Sequence, residues 1–162
     1  MSMRDWFKRN YADTDEPTHA DVRPVDLPLP PDIALARIRH ALESRPRWAV
    51  VTVDGKPVEV ASPSRWPWVR GKEAVWSRLT PSHVEEVIRT GPTWPNVGWL
   101  TATHRTWMMR FIDDVLVGLE GRPGGCRVHA RSRSRMGRGD LGQNRRNLLD
   151  LFEAIDPLRS PE

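Results

Sequence analysis

The residues able to do chemistry gather between 104 and 144. Phe111-Ile112-Asp113-Asp114 sets two carboxylates side by side, and Arg131-Ser132-Arg133-Ser134-Arg135 alternates guanidinium and hydroxyl groups. Paired carboxylates are candidates for acid–base work, and His104 and His129 are candidate proton carriers. On a strand, however, Asp113 and Asp114 point to opposite faces and share neither a proton nor a metal. A strand over 126–135 puts Arg127, Arg131, Arg133 and Arg135 on one face, alternate residues being about 7 Å apart. Such a row repels itself unless carboxylates, solvent or an anionic partner neutralise it. Arginine suits all three, because its planar fork binds carboxylate or phosphate bidentately.

Other chemistries find no residues. No Gly-x-Ser-x-Gly, His-x-x-x-His, P-loop or dinucleotide fingerprint occurs, so no catalytic residue is assigned. Cys126 is the single cysteine, which excludes a disulfide framework and a thiolate zinc cage. No metal or cofactor is implied.

A second candidate set is aromatic. The chain has 8 tryptophans against 1 tyrosine and 3 phenylalanines, and Trp66, Trp68, Trp76, Trp94 and Trp99 lie close together in sequence. Such a cluster lines a ligand pocket, meets a lipid interface, or forms a satellite core under long loops.

The 162 residues suffice for one domain with a core. Residues 1–30 carry five prolines with Pro31 and read as an extended or disordered arm. A single α+β domain is expected over 31–156, with a tail over 157–162. Ala34, Leu35, Ile38 and Leu42 share one face of a helix over 32–44. Strands over 47–53 and 56–62 flank the Asp54-Gly55 turn, Pro57 marking an edge. The Trp-rich 63–96 stretch reads as an insertion with a short helix begun by Thr80-Pro81.

Three strands follow, around 97–106, 108–120 and 126–134, with 121–125 as a turn. Matching buried faces pairs Leu119 with Cys126, Val117 with Val128 and Val115 with Ala130, which sets Asp114 opposite Arg131. Asp140 and Gln143 form a capping box that starts a helix at Leu141. Its apolar face is Leu141, Leu148, Leu149, Phe152 and Ile155. The expected fold is a twisted antiparallel sheet of four to six strands, with an N-terminal and a C-terminal helix packed mainly on one face.

At Phe111–Asp114 and Arg131–Asn144 the sequence resembles a bacterial family, the domain-of-unknown-function family numbered 1499. The patterns are F-x-D-D and R-S-x-S-R-x-G-x-x-D-L-G-x-N. The resemblance covers about 97–155 well and 31–53 loosely. Arg133 stands where the family usually has a small residue, and the 63–96 segment looks like a lineage-specific elaboration. The resemblance implies a fold and a motif, not an activity. Some relatives look exported or membrane-attached; here no secretory signal or apolar run long enough to span a bilayer is seen, and a cytoplasmic chain is expected.

Two roles compete for the motif. As a folding device, its carboxylates would pair with arginines while Asn144 ties the helix to the strand. As a site, Asp113, Asp114, Arg131, Ser132, Arg133, Ser134, Arg135, Asp140 and Asn144, with Trp66, Trp94 and Trp99, would hold a small anionic or amphipathic ligand, or a protein partner. Single-stranded nucleic acid is the alternative partner, through arginines and stacking tryptophans. A net charge of only +4 argues against it, although the sequence pI is about 10.0. An enzyme of unknown reaction type is the second alternative.

Overall fold

In the computed structural model the described residues are 11–15, 19–58, 92–106, 111–134 and 142–160. Strands β1 (Tyr11–Asp13) and β2 (Val25–Leu27) precede helix α1 (Pro31–Glu43). Then come β3 (Trp48–Val53), β4 (Lys56–Pro57), β5 (Gly98–Arg105), β6 (Ile112–Arg122), β7 (Gly125–Ser134) and helix α2 (Gln143–Ile155). A 3-10 turn, Asp156–Arg159, closes the described chain.

The strands form one antiparallel sheet in the order β1-β7-β6-β5-β3-β4, with β2 also on β7. It has seven strands, more than the four to six expected, because residues 11–13 and 25–27 of the expected arm pair with the outer edge of β7. Neither segment is long enough to carry a periodicity of its own. Of the Trp-rich 63–96 insertion, residues 63–91, with its expected helix, lie outside the described residues.

Local chemistry explains the turns. Asp54 and Gly55 both have positive φ (48° and 74°), the pair a type I′ hairpin requires. Pro57 lies on β4 at the sheet edge, where its missing N–H is not needed. Between β6 and β7 the chain reverses through Pro123 and Gly124, with φ 79° at Gly124, a combination that fits a type II turn.

That turn corrects the expected register by two residues. Leu119 faces Val128, Val117 faces Ala130, Val115 faces Ser132, and Asp114 faces Arg133 rather than Arg131. An even shift leaves every side chain on its expected face, so burial alone admits both registers. The turn selects the observed register by placing Pro123 and Gly124 at its two central positions.

One sheet face and the two helices make the core. Leu100, Ala102, Val115, Val117, Leu119, Cys126, Val128 and Ala130 meet Ala34, Ile38 and Leu42 of α1 and Leu148, Leu151 and Ile155 of α2. Each fully buried leucine or isoleucine contributes about 2 kcal/mol. The α2 stripe differs from expectation: Asn144, Asn147 and Leu151 are buried on it, while Leu149 and Phe152 are only half-buried. The helix also begins later than expected, at Gln143 behind Gly142 (φ 77°), with no side-chain cap. Gln143 bonds forward instead, donating to Asn147 Oδ1 at 2.7 Å. No helix of the described residues is long and apolar enough to cross a membrane.

Candidate functional site

Alternation along β7 divides the arginine–serine string between the two faces of the sheet. Ser132 and Ser134 turn toward α2 and are buried, whereas Arg131 and Arg133 turn to the opposite face. The two halves do different things.

On the helix side the serines join a buried polar network. Ser132 Oγ donates to Asn144 Oδ1 (2.7 Å), and Asn144 Nδ2 donates to Ser134 Oγ (2.9 Å). Asn147 Nδ2 donates to Asp113 Oδ2 (2.7 Å) and lies 3.0 Å from Ser132 Oγ. All five residues are buried. The network bolts α2 across β6 and β7, and its five residues are at most 9% exposed. Each such bond is worth about 1 kcal/mol net, while stranding a buried partner costs about 1–3 kcal/mol. Asn147 was not singled out in the sequence; its spacing three residues after Asn144, on the buried stripe, was the available signal.

The other face carries the charges. Arg127 makes a fork with Asp26, Nε to Oδ1 at 2.7 Å and Nη2 to Oδ2 at 3.0 Å, which holds the Asp26 carboxyl below its ordinary range. Arg131 donates through Nε at 2.6 Å to Oδ2 of Asp13, a buried carboxylate. The partner expected for Arg131 was Asp114; the register places Asp114 opposite Arg133, and β1 delivers Asp13 instead. His129 has Asp15 at 3.0 Å from Nδ1 and Glu120 at 3.0 Å from Nε2. Hydrogen bonding to His129, then to Arg122, pulls the Glu120 carboxyl down. On the helix side, Arg145 of α2 pairs with Asp21. Arg133 is exposed, and no described residue bonds or pairs with its side chain.

Tryptophan and arginine converge on this face. Trp94 lies against Gly118, stacks on His129 (centroids 5.9 Å apart, planes at 25°) and has the Arg131 guanidinium 5.4 Å from its ring centroid. Its buried Nε1 has no hydrogen-bond acceptor among the described residues. Trp99 faces the same Gly118 across the β5–β6 pair and is half-buried. Thr101, Thr103 and Leu116 are buried on this face too. Trp66, Arg135 and Asp140 lie outside the described residues.

The other candidate histidine, His104, is buried on the core side of β5. Asp150 accepts from Arg45 Nη1 and Trp48 Nε1, both at 2.5 Å, and Trp48 meets His104 edge-on at 4.9 Å. His104 Nε2 is 3.8 Å from Asp150, too far for a hydrogen bond, and burial lowers its pKa. Burial also pushes the Cys126 thiol up, away from nucleophilic use. Among the described residues no group of three or more His, Cys, Asp or Glu side chains is placed to hold a metal ion.

Comparison with known proteins finds one family. The sequence model of a family described as protein of unknown function (DUF1499) matches residues 72–155, more than half of the chain. The match takes in much of the Trp-rich segment as well as β5, β6, β7 and α2, and it leaves out residues 31–53. No curated protein and no solved structure matches the chain.

Proposed function

The chain belongs to the DUF1499 family, and from that premise we propose that it is a non-catalytic binding domain for a small anionic or amphipathic ligand. The ligand lies on the charged sheet face, with its apolar part against Trp94 and Trp99 and its anionic head at Arg133. The observation that carries this reading is the pairing of a Trp94–Arg131 stack with an exposed neighbouring guanidinium that no described residue engages. Apolar walls with a few convergent polar groups are the usual make-up of a small-molecule site. Arg133 supplies the bidentate donor such a head requires.

Native mass spectrometry of the purified chain, followed by denaturing release, tests this directly. A stoichiometric co-purified amphipathic acid is the expected result, together with tryptophan fluorescence that shifts on adding long-chain carboxylates. An Arg133→Ala chain is expected to bind the same acid at least about tenfold more weakly, since a charge-assisted pair is worth about 1.5–3 kcal/mol. An apo mass with a flat titration across a broad panel of acyl acids rejects the reading.

A further inference from the structure

Each carboxylate described between residues 11 and 27 faces an arginine or histidine from later in the chain. Asp13 takes Arg131, Asp15 takes His129, Asp21 takes Arg145 and Asp26 takes Arg127. Two of these are direct cross-strand neighbours, Asp13 with Arg131 and Asp26 with Arg127. The match is therefore set by backbone register, and not by long side chains finding each other. Ala12, Val22, Val25 and Leu27 of the same segment turn into the core or pack on it. The described parts of the segment thus present apolar residues inward and one carboxylate to each of three arginines and His129.

Bare, the same edge would be strongly basic. Arg127 and Arg131 of β7, with Arg145 on the α2 side of the same edge, next to the exposed Arg133 and the stacked Trp94, combine cations that neutralise phosphates with an aromatic surface. We propose that residues 11–15 and 19–27 form an acidic guard, bound in cis, that occupies this edge and keeps the domain from taking up polyanions. The guard covers the Arg127–Arg131 edge whether or not a small ligand uses Arg133, so the two readings stand or fall separately.

The test compares two full-length variants that gain the same positive charge. Asp21→Asn/Asp26→Asn removes two guard carboxylates that are substantially exposed, which spares the core. Asp32→Asn/Glu153→Gln removes two exposed carboxylates elsewhere. Binding of a labelled oligothymidylate is followed by fluorescence anisotropy across a salt series. The guard variant is expected to bind at least about tenfold tighter than the parent at low salt, with a log–log salt slope steeper by about 1.4, roughly 0.7 for each freed cation. The control is expected to change less than about twofold. Adding Arg127→Gln to the guard variant is expected to return binding toward the parent. Equal tightening in guard variant and control, or none in the guard variant, overturns the proposal, as does an Arg127→Gln addition without effect.

Discussion

Trp94 rests on Gly118 so closely that a β-carbon there would fall 2.2 Å from the indole nitrogen. The absence of a side chain at Gly118 is what lets Trp94 lie between the sheet, His129 and Arg131. Gly118→Ala is expected to push Trp94 off the sheet and to cost about 1–3 kcal/mol, as overpacking does. Denaturant unfolding gives the cost. The tryptophan emission of the folded variant is expected to shift, and unchanged emission with unchanged stability counts against this packing.

The polar bolt between α2 and β7 predicts coupling. Asn144→Ala removes the acceptor of Ser132 Oγ and the amide donor to Ser134 Oγ, and is expected to destabilise by about 2 kcal/mol. In a Ser132→Ala/Asn144→Ala cycle the double variant is expected to lose less than the sum of the singles. Strict additivity, measured by urea unfolding, would sink the network as an energetic unit.

A second cycle separates the two registers of the β6–β7 hairpin. Asp13→Ala and Arg131→Ala are expected to couple, because removing Arg131 strands a buried carboxylate at a cost of about 3 kcal/mol. Asp114→Ala and Arg131→Ala are expected to add, since Asp114 faces Arg133. The opposite pattern would restore the expected register, with Asp114 opposite Arg131.

His104 makes stability depend on pH. Burial favours its neutral ring, so its folded pKa lies below that of the unfolded chain, about 6.5. The resulting stabilisation is complete above about pH 6.5 and is lost as pH falls toward the folded pKa, because the unfolded chain then takes up the proton first. The melting temperature is expected to drop below about pH 6.5, before the carboxylates titrate, and His104→Gln is expected to flatten that part of the curve. A His104→Gln profile that parallels the parent would show that another group carries the effect.

How much of this was legible in sequence follows from how far each signal reaches. The helix over 31–43 and the Asp54-Gly55 turn are written locally, in apolar spacing, proline brackets and residues that tolerate positive φ. The faces of β6 and β7 are equally local, because alternation decides which side chains are buried before any partner is known. Asn144 as a tie between helix and strand came from the same kind of pattern.

What the sequence by itself determined, then, is the α+β class, the buried and charged faces of each long strand, and the split of the arginine–serine string between them. Only the tertiary structure decided the partners: Asp13 for Arg131, Asn147 for Asp113, and Trp94 over Gly118. The physical reason is that alternation constrains a strand modulo two. Register within that constraint is set by a two-residue turn and by two three-residue strands too short to carry a signal of their own. Contacts more than a hundred residues apart, such as Arg127 with Asp26, exist only once those choices are made.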